Sequence, residues 1–130
     1  MARKPKASQN SSRYWLHEVN ANFAKNVTPN MIVLDAGAGD QPYRHLFDHA
    51  QYESADFEAV NKTYAKSTYV CDLVQIPVDD ARFDRVLLNQ VLEHLPEPTL
   101  VLTELHRVLK PDGLILCTCP LFYEEHEQPY

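Results

Sequence analysis

The apolar positions of this chain change period several times, and each change marks an element. Tyr14, Trp15, Leu16, Val19 and Phe23 recur at helical spacing, and Thr28-Pro29-Asn30 closes that segment. Residues 31–34 form a short continuous apolar run that turns at Asp35, the pattern of a strand buried in a parallel sheet. Pro42 then stands where a first helical residue would, with Asp40 or Gln41 as its cap, and Tyr43, Leu46 and Phe47 give the predicted helix an apolar side. Residues 52–55 end at Asp56 and residues 68–71 end at Asp72, which predicts two more short strands. Phe83 and Asp84 open the strongest strand, which runs to Asn89. Pro96 and Pro98 bracket a turn, and Leu100, Leu102, Leu105, Val108 and Leu109 mark an amphipathic helix. Lys110-Pro111-Asp112-Gly113 stops that helix and reads as a turn only, before a fifth strand over 114–119 that Pro120 ends.

Short apolar strands separated by helical segments predict the α/β class, with an open, mostly parallel sheet. Right-handed crossovers then gather the loops that follow the strands along one edge. Residues 1–12 are polar and read as a flexible tail, which leaves 13–130 as one domain.

Composition narrows the picture further. The chain has 130 residues, room for one core, with 45% apolar and 23% charged residues, as in ordinary globular domains. A net charge of -6 argues against nucleic acid or an anionic membrane as a partner. The cationic Arg3, Lys4 and Lys6 fall in the tail, with no apolar segment after them of the kind a secretory signal needs. No apolar run approaches the roughly 18 residues of a membrane span, so a cytoplasmic location is expected. Cys71, Cys117 and Cys119 suit a reducing compartment. Cys117 and Cys119 share one strand face but lack a second ligand pair, so no metal site is expected.

Three predicted strands end in an acid: Asp35, Asp56 and Asp72. Ligands of such sheets bind at the carboxyl ends of strands, so these carboxylates should line one crevice. Gly37 and Gly39 let a backbone approach a ligand there, and the helix predicted at Pro42 would aim its N–H groups at the same place. Pro42 occupies the third position of a G-x-G-x-x-G pattern, and no Gly-Lys-Ser/Thr follows, so both phosphate-binding patterns fail. A pyrophosphate beside several carboxylates would also be repelled. A ligand with cationic character and several hydroxyls fits better, as S-adenosylmethionine does.

The stretch from about residue 31 to 120 resembles the class I S-adenosylmethionine-dependent methyltransferases, in particular their small-molecule branch. "VLDAGAGDQPY" resembles the family's first motif, "SADF" its second-strand acid, and "VCDLVQIP" its adenine-side motif. "FDRVLLNQVLEHLPEP" and "LHRVLKPDGLILCTCP" are similar to its fourth and fifth strands with their neighbours. The resemblance implies a Rossmann-like sheet with helices on both faces and S-adenosylmethionine as cofactor. It implies that Asp35 and the backbone of Gly37 and Gly39 hold the methionine end, and that Asp56 accepts from the ribose hydroxyls. Asp72 would accept from the adenine amine, Leu73 would offer backbone and packing, and Asn89 and Gln90 would border the cofactor. Glu93 and His94 would face the crevice or cap the next helix, and His94 and His126 are the candidates for a base, without a catalytic residue being assigned.

Family members usually continue past the fifth strand, and here the C-terminal strands are missing. The expectation is therefore a fragment, or a fold completed by a partner or by self-association through an unpaired fifth-strand edge. Methyl transfer to a small molecule, a sugar or a lipid intermediate is the first functional reading. A non-catalytic module that binds cofactor or docks a partner is the second. A nicotinamide-dependent reductase is disfavoured by Pro42 and by the lack of a Tyr-x-x-x-Lys pair.

Overall fold

The structure, a computed structural model, describes residues 12–58 and 66–120. Helix α1 spans Ser12–Ala24, and strands β1 to β5 span Ile32–Ala36, Gln51–Asp56, Tyr69–Val70, Phe83–Asn89 and Leu109–Thr118. Helix α2, Pro98–Val108, lies between β4 and β5, and short 3₁₀ turns stand at Arg44–Phe47 and Leu92–His94. The five strands form one sheet in the order β3-β2-β1-β4-β5, and every pairing is parallel. The predicted α/β architecture is therefore present, with a sheet that is wholly parallel among the described residues.

Alternation along β1 and β4 divides the core between two faces. Leu34, Val86 and Leu88 point to one face and pack with Val101, Leu105 and Val108 of α2. Val33 and Leu87 point to the other and pack with Ala24, Val27 and Phe47. Helical segments thus cover both faces, and β1 and β4, flanked on both sides, carry the most apolar runs because they see no water on either face.

Several local expectations are corrected. The helix predicted at Pro42 is only the 3₁₀ turn at Arg44–Phe47, and neither Asp40 nor Gln41 caps it. Gln41 is left-handed (φ 58°), and its buried amide donates to Ser54 Oγ (3.2 Å) and to the Lys66 carbonyl (2.9 Å). Those bonds tie the loop to β2 and replace a cap, so no α-helix starts at Pro42. The strand predicted over 68–71 keeps only Tyr69–Val70 as ladder. Thr68 and Ser54 instead exchange hydroxyl bonds with each other's backbone N–H groups, at 3.0 and 3.1 Å.

Residues 110–113 are more than a turn. They leave the register between Phe83↔Leu109 and Arg85↔Leu114 as a bulge inside β5, and Lys110 Nζ reaches Asp84 Oδ1 at 3.1 Å. The apolar stripe of α1 is also not buried as its spacing predicts. Asn20 and Ala24 are the buried residues of that helix, whereas Trp15 and Val19 stay 53% and 42% exposed. Ser12, assigned to the tail, opens α1, and the rest of the predicted tail and His126 lie outside the described residues. At the far edge β5 pairs only with β4 among the described residues, and its Leu114 is exposed.

Candidate functional site

Because the strands are parallel, the loops after β1, β2, β3 and β4 open on one edge of the sheet. The chain passes from β1 outward to β2 and β3 and then returns to β4 on the other side of β1. The crevice of such a sheet lies at this reversal, between the loops after β1 and β4.

The loop after β1 is held open by its glycines. Gly37 (φ 69°) donates to the Ala55 carbonyl at 2.8 Å, which fixes the loop against β2. A Cβ on Gly37 would come within 2.6 Å of Val91 Cγ2, from the loop after β4. The bare backbone at this position therefore serves contact between the two loops, a reason that spacing alone did not show. Gly39 (φ 55°) differs: a Cβ there would meet no heavy atom within 4 Å. Open space therefore lies beside Gly39.

Asp35 sits on β1 with 2% exposure, and Tyr52 Oη donates to its Oδ2 at 2.5 Å. Burial pushes its carboxyl up to about 6 despite the Tyr52 bond, and the nearby charge of Asp56 adds to the rise. No ion pair compensates it among the described residues. Burial and the same carboxylate push the Tyr52 hydroxyl upward, so it stays a donor at every working pH. Sequence reading missed Tyr52, whose only trace is a tyrosine one position before the register partner of Leu34.

Asp56 closes β2, and its Oδ2 accepts from the Glu58 N–H at 3.0 Å. Asp72, exposed, accepts from the Val74 N–H at 3.1 Å. Each acid thus uses one oxygen to shape its own loop in the manner of an Asx turn. Leu73 is buried in the α2-side core and supplies packing.

Asn89 and Asn20 face each other as a reciprocal amide pair, both bonds at 2.9 Å, and Thr118 Oγ1 also donates to Asn89 Oδ1 at 2.9 Å. The Asn89 side chain therefore locks α1, β4 and β5 together. Gln90 next to it is left-handed (φ 57°) and donates through Nε2 to Thr118 Oγ1 at 3.3 Å. Gln41, Glu58 and Gln90 all take this costly conformation in loops of this edge, and Ala81 takes it at the opposite edge, before β4. Gln90 lines a cleft of about 400 Å³ with Trp15, Leu16, Val19, Thr118 and Cys119.

Glu93 lies in the second 3₁₀ turn with Oε2 buried and without a hydrogen-bond partner among the described residues, and its Oε1 is 3.6 Å from His94 Nε2. Burial and the neighbouring Cys119 push the Cys117 thiol upward, so it is no activated nucleophile. The described residues contain no group of three or more side chains suited to a metal ion, and none of their helices is long and apolar enough to cross a membrane. A larger hollow of about 560 Å³, lined by Ile32, Tyr69, Asp79 and Arg82, lies at the amino ends of the strands, away from the crevice.

The sequence profile of the methyltransferase domain matches residues 34–117. Demethylmenaquinone methyltransferase of Chlamydia caviae is 28% identical over 111 residues, covering 76% of this chain and 48% of that protein. The chain thus spans about half the length of this relative. The fold is similar to a SAM-dependent methyltransferase from Aquifex aeolicus, at TM-score 0.61 and 25% identity, with 88% of this chain and 72% of that one covered. It is also similar to a Burkholderia thailandensis 1,6-didemethyltoxoflavin-N1-methyltransferase solved with 1,6-didemethyltoxoflavin and S-adenosylhomocysteine, at TM-score 0.55 and 25% identity, over 78% of this chain and 53% of that one. With the profile spanning both core strands and the loops of the crevice, this chain belongs to the methyltransferase domain family.

Proposed function

We propose that the domain binds S-adenosylmethionine along the carboxyl edge of the sheet and serves transfer of its methyl group to a small-molecule acceptor. The observation that carries this reading is the buried Asp35 carboxylate. It lies beside a glycine loop with open space at Gly39 and has no cationic partner among the described residues. An ammonium-bearing ligand would compensate that charge, whereas a pyrophosphate would add to it. The names of the relatives, with a quinone precursor and a heterocycle as acceptors, support a small molecule.

In this reading Asp35 and the backbone of Gly37 and Gly39 hold the methionine end. Asp56 accepts from the ribose diol through the oxygen that Glu58 does not use. Asp72 accepts from the adenine amine, Leu73 packs beneath it, and Asn89 and Gln90 border the cofactor at the end of β4. The cofactor supplies a methyl group made electrophilic by a sulfonium. The chain itself contributes alignment of that group and exclusion of water. Self-association through the exposed edge of β5 belongs to the same proposal.

Calorimetric titration with S-adenosylmethionine, S-adenosylhomocysteine and NAD tests it. Both adenosyl ligands should bind, and NAD should bind much more weakly. NAD affinity equal to theirs overturns the reading. Cofactor binding without turnover across a panel of metabolites would favour a non-catalytic binding module.

A further inference from the structure

The cleft between α1 and the end of β5 joins three observations, two of them at Asn89 and Gln90, the residues that border the cofactor in the reading above. Trp15 and Val19, one helical turn apart on α1, are large apolar side chains left half-exposed at the edge of the sheet where ligands bind. The Asn20–Asn89 amide pair fixes α1 to β4, so this exposed face is held in place rather than swung out by a loose helix. The third observation is polar. Hydrogen bonds run in one direction, from Gln90 Nε2 to Thr118 Oγ1 and from Thr118 Oγ1 to Asn89 Oδ1. Gln90 Oε1 is thereby left as an acceptor among the described residues.

We propose that this cleft receives the methyl acceptor, and that the acceptor is a neutral apolar ring carrying a hydroxyl group. The inference rests on the methyltransferase reading above and names its substrate class. The size suits it, since about 400 Å³ falls within the range of small-ligand sites. The chemistry suits it too. Trp15, Leu16 and Val19 offer an apolar wall on which a flat ring stacks, and Gln90 Oε1 accepts a hydrogen bond from the hydroxyl at one point. Among the described residues no charged side chain lines the cleft, so these residues would not repay the hydration that a phosphorylated or acidic acceptor loses there. The position suits it because Gln90 precedes Val91, whose side chain packs over Gly37 in the cofactor loop. The cleft therefore adjoins the crevice at the reversal of strand order.

Trp15 is the single tryptophan of the chain, so its emission reports this cleft alone. Titration of the full chain with para-butylphenol, excited beyond the phenol absorption, should give a saturable blue shift. Butylbenzene should bind about tenfold or more weakly, because it leaves the Gln90 oxygen unpaired. Methyl glucoside should give no shift. By calorimetry, Trp15→Leu should weaken phenol binding about tenfold and leave S-adenosylhomocysteine binding intact, and Gln90→Leu should erase the preference for phenol over butylbenzene. A non-saturable response overturns the proposal, as does equal binding of the glucoside. A blue shift that follows protein concentration with no probe also overturns it, since a second copy of the chain would then cover the cleft. The two readings fail separately. Loss of S-adenosylhomocysteine binding with phenol binding intact strikes the cofactor reading, and the reverse strikes the substrate class.

Discussion

The two edges of the sheet treat their acids in opposite ways. At the amino edge, every buried or half-buried carboxylate is tied to a cation. Glu53 takes two bonds from Arg82 (3.1 and 2.5 Å) and others from Tyr69 and Gln51. Burial opposes its ionisation, but Arg82, Tyr69 and Gln51 together hold its carboxyl below the usual value. Glu104 receives Arg107 and the Ile76 N–H, and Asp84 receives Lys110 and the Ile32 N–H. At the carboxyl edge, Asp35, Asp56, Asp72 and Glu93 have no Lys or Arg partner among the described residues, and the buried Asp35 is pushed up rather than down. Neutralised charge holds the sheet together. Charge left over, in the crevice of the same fold, has the sign that attracts a sulfonium and an ammonium.

The largest expected effect breaks the amino edge. Arg107 joins Glu104, Asp80 and the Ile76 and Val78 carbonyls, and so fastens α2 to the loop before β4. Arg107→Ala leaves Glu104 buried without its cation and should cost about 3–5 kcal/mol in urea unfolding. Cofactor affinity of the molecules that remain folded should not change. The complementary experiment is Asp56→Ala, which should weaken S-adenosylmethionine binding by about 2–4 kcal/mol in calorimetry. Its urea midpoint should hardly move. If Asp56→Ala destabilised the fold as Arg107→Ala does, the division between edges would be wrong.

Most of the scaffold was legible because it rests on periodicity. The apolar runs of β1 and β4 appear where the sequence places them, and Asp56 ends β2 as read, with Asp35 one residue short of the end of β1. The stripe of α2 holds only at Leu105 and Val108, since Leu100 and Leu102 stay 50% and 42% exposed and Val101 and Glu104 are buried in their place. What was not legible comes from pairs distant in the chain. Asn20 reads as a polar helix residue and Asn89 as a strand end, and only their meeting across 69 positions makes Asn20 the most buried residue of α1. Gln41 reads as a cap until Ser54 and Lys66 capture its amide. Trp15 and Val19 have core spacing, but the sheet face beneath them is occupied through Ala24, Val27 and Phe47 instead. Gly37 was read as room for a ligand, and its neighbour is Val91.

Asp35 sharpens the comparison through pH. Its folded-state value of about 6 lies above the ordinary 3.8, so the folded chain keeps a proton that the unfolded chain has released. Stability therefore falls as pH rises from about 4 to 6, and the whole penalty is present above that window. Asp35→Asn keeps an oxygen for Tyr52 to donate to and removes the charge. At pH 7.5 the cofactor-free variant should be more stable than the parent by about 3 kcal/mol, with the difference vanishing near pH 4. Its cofactor binding should be weaker. A variant less stable than the parent at neutral pH would show that Asp35 is a structural acid of the amino-edge kind.

The smallest effect is a coupling of about 1–2 kcal/mol across the contact that joins the loops of β1 and β4. Gly37→Ala places a methyl within 2.6 Å of Val91 Cγ2 and holds a non-glycine residue at φ 69°. Overpacking and backbone strain each cost about 1–2 kcal/mol. Only the first is relieved when Val91 is trimmed. Gly37→Ala/Val91→Ala should therefore recover roughly half of the loss in thermal unfolding, and the coupling in a double-mutant cycle should be favourable. Cofactor binding separates two meanings of the glycine. If it serves only the contact between loops, the double variant regains affinity together with stability. If its backbone also lies against the methionine end, as proposed, affinity stays low after stability has returned, because the added methyl still stands in the crevice. Full recovery of affinity would remove Gly37 from the cofactor site and leave Gly39, beside the open space, as the glycine of that loop that the ligand uses.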